Sequence, residues 1–179
     1  MTKPNLQTLL QFQHQLHGLT LSTIDREGLP HCSFTPFIAT DLFTYFIFVS
    51  QLATHTANLQ HHPQTSILLL EAEATVTNLY ARKRFTLSCM AKLIDRDEPM
   101  WSNTLDQFEE YFGSILHVLR LLPDFQLFRL QAEQGLWVTG FGKAFKVNKN
   151  PFQKPTSIEQ PQENSNNDHR TNLDRQRVT

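Results

Sequence analysis

Three consecutive basic residues, Arg82, Lys83 and Arg84, begin a long run of alternating apolar and polar residues. A planar guanidinium can hold a carboxylate or a phosphate through paired hydrogen bonds, and a lysine can support it as a point charge. Runs of charge are more often solvated faces that bind nothing. The basic segment Arg82–Arg84 therefore predicts an anion-binding site at the start of a strand, and a solvated basic turn is the alternative.

A second group of polar residues surrounds the start of a short predicted helix. Backbone amides at a helix N-terminus, with hydroxyl groups nearby, favour an anionic group. Ser and Thr also cap helices without any ligand, so plain capping by Ser50 or Thr54 is the alternative. The candidate cofactor-binding residues of this group are Ser50, His55, Thr56 and Asn58.

Two further residues are candidates only through their position in the chain. Asp124 follows Pro123 at the start of a predicted strand, where an aspartate is also a common turn residue. His169 lies in a polar segment near the C-terminus, where a lone histidine is commonly solvated. Neither residue predicts a chemistry by itself.

Strands and short helices must position these side chains. Leucines at helical spacing predict an N-terminal helix within residues 1–17, and a helical stripe predicts an insert over residues 98–122. The run Phe43 to Val49 is apolar on both faces and predicts a deeply buried strand. The last two strands are expected to form a hairpin around residues 133–135, which include a glycine.

This order of elements predicts a mainly β (α+β) fold. We expect a six- to seven-stranded antiparallel Greek-key barrel with short flanking helices. One domain is expected over residues 1–147. Residues 148–179 form a polar tail rich in Asn, Gln and Pro, for which the composition predicts disorder.

Composition narrows the class of protein. The 179 residues have a formal net charge of -1, so no nucleic-acid or membrane partner is expected. The apolar runs are too short to span a membrane, and the N-terminus does not resemble a secretory signal. Cys32 and Cys89 lack metal-site spacing and are expected to be buried thiols. Together these features predict a cytoplasmic protein.

Four segments together resemble the haem-iron utilisation family, a branch of the pyridoxamine 5'-phosphate oxidase-like split β-barrels. The resemblance covers roughly Leu19 to Val147, and ARKR, LFRL and QGLWVTGFGKAF are its most specific parts. The segments are GLPHCSFTPF, YFIFVSQLATHTANLQHHPQTSILLLE, ARKRFTLSCMAKLIDRD and DFQLFRLQAEQGLWVTGFGKAF.

The resemblance implies a split-barrel homodimer with a planar cofactor in a cleft at the subunit interface. It implies that the basic segment holds the cofactor's anionic groups and that Arg82 also helps to hold bound oxygen. Asp124 would orient the iron-linked imidazole of the other subunit, and His169 would be the iron ligand. The tail departs from the family pattern, because it is longer and lacks a glycine just before His169.

Three functions follow from this resemblance. The first is a haem-binding protein that degrades haem with oxygen and an unidentified electron donor, releasing iron. The second is an oxidoreductase that holds FMN in the same cleft. The third is a haem carrier or storage protein without catalysis. The fold alone does not decide between these chemistries.

Overall fold

The computed structural model describes residues 5–150, and within them eight antiparallel strands form one sheet. The strands are β1 (Gly18–Ile24), β2 (Pro30–Pro36), β3 (Ile38–Ala39), β4 (Thr44–Ser50), β5 (Gln64–Leu70), β6 (Arg84–Ile94), β7 (Phe125–Gly140) and β8 (Lys143–Asn148). The helices are α1 (Leu6–His14), α2 (Thr54–His61), α3 (Pro99–Phe112) and α4 (Ile115–Leu119), with 3-10 turns at Glu73–Thr75 and Leu79–Ala81.

The chain itself joins the two edges of this sheet. The strand order is β2-β1-β5-β6-β7-β4-β3, so β2 and β3 lie at the two ends. Only Phe37 separates these two strands in the sequence, which curls the sheet into a barrel. The first half of β7 pairs with β4 and the second half pairs with β8. The predicted antiparallel barrel with flanking helices is confirmed, with eight strands instead of six or seven.

Two apolar clusters fill the two sides of β4. The barrel interior takes Tyr45, Ile47 and Val49, together with Trp137 and Phe128. The opposite face of β4 carries Phe46 and Phe48, which pack against α3 and α4. This second layer is the reason why the run is apolar on both faces, and the prediction of a deeply buried strand is confirmed.

The last hairpin was predicted at the wrong place. β7 runs without a turn through residues 133–135, and the chain reverses at Phe141–Gly142, where Gly142 has φ 67°. Gly135 lies in the strand because the ring of Phe85 occupies the space that a side chain would need. A glycine selected by close packing therefore resembled a turn glycine in the sequence.

The helical insert is interrupted. Gly113, with φ 79°, separates α3 from α4, so the predicted single stretch over residues 98–122 forms two helices. The N-terminal helix begins after Asn5, whose side chain accepts a hydrogen bond from the amide of Gln7. Among residues 5–150, no helix combines the length and the apolar character that crossing a membrane requires.

Candidate functional site

The end of β4 and the start of β7 bring two predicted site residues together. Ser50 pairs with Phe125 in the β4–β7 ladder, which places Ser50 beside Asp124. The Ser50 hydroxyl donates to Asp124 Oδ2 at 2.6 Å and accepts from the amide of Leu52 at 3.1 Å. The amide of Gln51 donates to the Asp124 carbonyl at 2.8 Å. Asp124 is therefore fixed through both its carboxylate and its backbone.

Thr56 and Asn58 hold α2 against the end of the barrel. The Thr56 hydroxyl is fully buried and donates to the Ser50 carbonyl at 2.6 Å. The buried Asn58 amide donates to the Thr23 hydroxyl on β1 at 2.9 Å. Both side chains therefore position α2 and Ser50, and neither offers much surface to a ligand. The N-cap of α2 is Ala53, so Ser50 supports the turn before the helix.

His55, on the same helix, lies close to a histidine that the sequence did not single out. Burial, and to a smaller extent the nearby imidazole of His31, lowers the pKa of His55. His55 is therefore neutral at pH 7. His31 pairs with Thr23 in the β1–β2 ladder, and its buried Nδ1 has no hydrogen-bond partner among residues 5–150. The sequence does not show that His31 lies close to His55 and Asn58, and only the pairing of β2 with β1 reveals it.

Two glutamates engage two of the three residues of the basic segment. Arg82 Nε donates to the Glu71 carbonyl at 2.5 Å, and Arg82 Nη1 lies 3.6 Å from Glu73 Oε2. The backbone amide and the ammonium group of Lys83 each donate to the Glu71 carboxylate at 3.1 Å. Burial acts to raise the pKa of Glu71, but the hydrogen bonds and charge of Lys83, with the charge of Arg82, bring it below its ordinary value.

Arg84 differs from its two neighbours. Its Nη1 donates to the Arg82 carbonyl at 3.0 Å, and it makes no ion pair with a carboxylate within residues 5–150. Along β6 it shares the outward face with Thr86 and Ser88, and it is half-buried. Arg84 is therefore the residue of the basic segment best placed to receive an anion from outside the chain.

The basic segment and Asp124 lie at opposite ends of the same ladder. Arg84 pairs with Val138, whereas Ile94, at the other end of β6, pairs with Leu127 close to Asp124. Ten residues of strand at about 3.3 Å each separate the two groups by roughly 30 Å. One copy of the chain therefore does not bring them together.

The outer face of the sheet carries a row of mainly uncharged side chains. The row contains one residue from each of β2, β1, β5, β6, β7 and β8, and each residue is the direct ladder partner of the next. Only the residue on β8 is charged. They are Phe34, Thr20, Leu68, Thr86, Leu136 and Lys146. Phe34 is 69% exposed. Beside this row, a groove of about 510 Å³ is lined by side chains that include Ser22, Ser66, Ser88 and Met90.

The predicted iron ligand, His169, lies outside the described residues. Between residues 5 and 150, no three His, Cys, Asp or Glu side chains are grouped in a way that could hold a metal ion.

Comparisons with known proteins agree with this architecture. Residues 4–138 match the family model of pyridoxamine 5'-phosphate oxidase. The chain is 42% identical over 137 residues to the heme oxygenase HutZ of Vibrio cholerae, which covers 76% of this chain and 77% of HutZ. A crystal structure of HutZ, described as a heme storage protein, has a TM-score of 0.71 and 39% identity, covering 79% of this chain and 98% of that one.

A second solved structure, Campylobacter jejuni ChuZ, has a TM-score of 0.76 and 26% identity. It covers 86% of this chain, and this chain spans 61% of its length. The family match and the identity to HutZ both extend over about three quarters of the chain. The chain therefore belongs to the haem-utilisation branch of the pyridoxamine 5'-phosphate oxidase-like split-barrel family.

Proposed function

We propose that this protein binds haem between two copies of the chain and degrades it oxidatively, releasing iron. The observation that carries this proposal is the 42% identity to a heme oxygenase over three quarters of the chain. The residues present suit such a ligand. Haem combines an apolar ring with carboxylates. The structure offers mainly uncharged side chains on one sheet face and, at the start of β6, the Arg84 guanidinium, which has no carboxylate partner within residues 5–150.

The homodimer is proposed to form through the outer face of β1, β5 and β6. The row of side chains centred on Thr86 suits burial, because few charges would have to be desolvated. A second copy could also bring its Asp124 towards the Arg84 of the first, which the length of β6 prevents within one chain. The ligand cleft would then lie between the copies.

Arg84 is proposed as the main contact to the haem carboxylates. A guanidinium without a carboxylate partner can form paired hydrogen bonds with a carboxylate. Arg82 and Lys83 are held by Glu73 and Glu71, so they support the segment and its positive potential. The role in holding oxygen that the family resemblance gives to Arg82 suits Arg84 better for the same reason.

Asp124 is proposed to accept a hydrogen bond from the imidazole of His169 of a second copy. Its Oδ2 already accepts from Ser50, whereas Oδ1 accepts no hydrogen bond within residues 5–150. A carboxylate that is fixed in this way can orient an imidazole and raise its basicity. Haem itself supplies the redox chemistry, and the protein supplies binding and orientation. An external electron donor completes the system.

Storage without catalysis is a second candidate, because the HutZ crystal structure is described as that of a heme storage protein. Both functions suit the cytoplasm, where the free thiols Cys32 and Cys89 stay reduced. Cys89 is buried as predicted, but the prediction was wrong for Cys32, which is exposed on the edge strand β2.

A haemin titration of the full chain, followed by ascorbate in air, tests the proposal. We expect a saturable Soret band at one haem per chain that bleaches with release of iron. A stable band would favour storage. No specific band, together with tight binding of added FMN, would overturn the haem proposal in favour of a flavin.

The matched variants are Arg84→Gln and Arg82→Gln. Each removes one guanidinium charge, and the two positions are two residues apart. Loss of a charged hydrogen bond of about 1.5–3 kcal/mol should weaken haemin binding by about 10- to 150-fold in Arg84→Gln. Arg82→Gln should have a smaller effect. A larger loss of affinity in Arg82→Gln than in Arg84→Gln would identify Arg82 as the main contact.

A further inference from the structure

We infer that Arg96 is a positioning residue for this site, because its guanidinium holds the segment that carries Asp124. The inference rests on the proposed function only for the role given to Asp124. The contacts themselves are properties of the chain without ligand. Arg96 lies in the turn between β6 and α3, far in sequence from Asp124, and no chemical motif marks it.

The guanidinium bonds three backbone carbonyl groups on the α4–β7 connection, which here means residues 120–124 together with Phe125, the first residue of β7. Nη1 donates to the Arg120 carbonyl at 3.3 Å, and Nη2 donates to the Phe125 carbonyl at 3.0 Å. Nη2 also donates to the carbonyl of Leu122. These acceptors lie on both sides of Asp124. One side chain therefore sets the path of the backbone into and out of this residue.

The orientation of Arg96 is set by α3. Its Cζ lies 5.1 Å from the centre of the Trp101 ring. Trp101 in turn packs edge-on against Phe48 of β4, with ring centres 6.3 Å apart. A planar guanidinium can lie near a ring and donate from separate nitrogens at the same time, whereas a lysine has one donor atom. The position therefore requires arginine rather than a positive charge alone.

Asp124 is thus held from β4 and from the end of β6, the two strands that flank β7. From β4, Ser50 bonds its carboxylate and the Gln51 amide bonds its carbonyl. From the end of β6, Arg96 bonds the flanking carbonyl groups. Without Arg96, Asp124 keeps the β4 contacts, and the connection keeps its own backbone hydrogen bonds, such as the 3.4 Å bond from the Phe125 amide to the Leu122 carbonyl. The Asp124 carboxylate should then leave Ser50 more often, which would weaken its hold on any imidazole.

Arg120 provides a matched control. Its Cζ lies 6.0 Å from the same Trp101 ring, but its side chain pairs with Asp106 and Glu109 on α3. Arg120→Lys therefore makes the same chemical change beside the same ring. It alters the pairing of Arg120 with α3 and leaves the three hydrogen bonds that Arg96 donates to the connection intact.

Amide hydrogen exchange of the ligand-free full chain is the first test. The Gln51 amide reports on Asp124 directly, since it donates to the Asp124 carbonyl. In Arg96→Lys, we expect its exchange to accelerate about tenfold, while amides in the centre of β5 keep their protection. Arg120→Lys should leave the Gln51 amide unchanged. Unchanged Gln51 protection in Arg96→Lys would overturn the inference.

Haemin affinity is the second readout. If Arg96 acts through Asp124, Arg96→Lys combined with Asp124→Asn should bind haemin no more weakly than Asp124→Asn alone. Additive losses would mean that Arg96 acts by another route, and the inference would fail. If the unmodified chain does not bind haemin, the proposed function fails, but the exchange experiment still decides the role of Arg96. Arg96 is exposed, so we expect the variants to fold, and Arg96→Gln is a second variant for the same measurement.

Discussion

The Ser50 hydroxyl donates a 2.6 Å hydrogen bond to Oδ2 of Asp124, although the two residues are 74 positions apart. They meet because Ser50 ends β4 and Asp124 directly precedes β7, the antiparallel neighbour of β4. The bond orients a half-buried carboxylate, and the second oxygen accepts no hydrogen bond from residues 5–150. It also joins two residues that the sequence proposed as site residues for separate reasons.

Removing the Ser50 hydroxyl should destabilise the fold. Since hydrogen bonds to charged groups contribute about 1.5–3 kcal/mol, we expect Ser50→Ala to lower the free energy of unfolding by about that amount in urea titrations. Ser33→Ala is the control, because that hydroxyl makes only a 3.4 Å contact to the Leu21 carbonyl. Equal losses in the two variants would contradict the importance of the bond to Asp124.

Gly135 should not tolerate a side chain. An added Cβ would lie 2.7 Å from Cζ of Phe85, a fully buried ring, and 3.1 Å from the Thr86 carbonyl oxygen. Overpacking of this kind costs about 1–3 kcal/mol, so Gly135→Ala should lower the midpoint of thermal unfolding. Gly140→Ala, on the same strand, meets nothing within 4 Å and should be nearly neutral. Similar midpoints would show that Phe85 moves aside at little cost.

His55 should make stability depend on pH. Its pKa is lowered in the folded state, mainly by burial, from an ordinary value of 6.5. The unfolded chain therefore takes up the proton first. The contribution of His55 is fully present above about pH 6.5 and is lost as the pH falls towards its folded pKa.

We expect His55→Gln to flatten the fall in unfolding free energy between about pH 7 and pH 5, as measured by denaturant titration at each pH. His14→Gln, on α1, is the control for the loss of a histidine side chain elsewhere in the chain. If the slope persists in His55→Gln, then another group is responsible for it.

The outer sheet face should carry the dimer. Thr86 lies at the centre of the paired row, between Leu68 and Leu136. A lysine there would have to be desolvated between the copies, so Thr86→Lys should weaken association by at least about 100-fold. Sedimentation velocity over a range of concentrations measures this effect.

The same substitution at Thr8, an exposed residue on α1, should leave the dimer intact. A dimer unaffected by Thr86→Lys would place the interface on another surface. A monomeric parent chain would contradict the proposed homodimer.

Local periodicity determined much of the fold from the sequence. The alternation in β6 placed Phe85, Leu87, Cys89 and Ala91 on the inner face, because successive side chains of a strand point to opposite sides. Helical spacing identified α1 and the insert. In contrast, Gly135 led to a wrong prediction of the last hairpin. This glycine is needed because the Phe85 ring of the neighbouring strand β6 occupies the space of a side chain.

The chemical types of the candidate residues were also visible in the sequence, including the basic segment, Ser50, His55 and Asp124. The tertiary structure decided which of them meet. It joined Ser50 to Asp124, placed His31 beside His55, paired Lys83 with Glu71, and separated Arg84 from Asp124 by the length of β6. Side-chain periodicity is a local property that any strand displays, whereas pairing between strands depends on the packing of the whole barrel. For this reason the sequence showed the kinds of groups in the candidate site, and only the folded chain showed their arrangement.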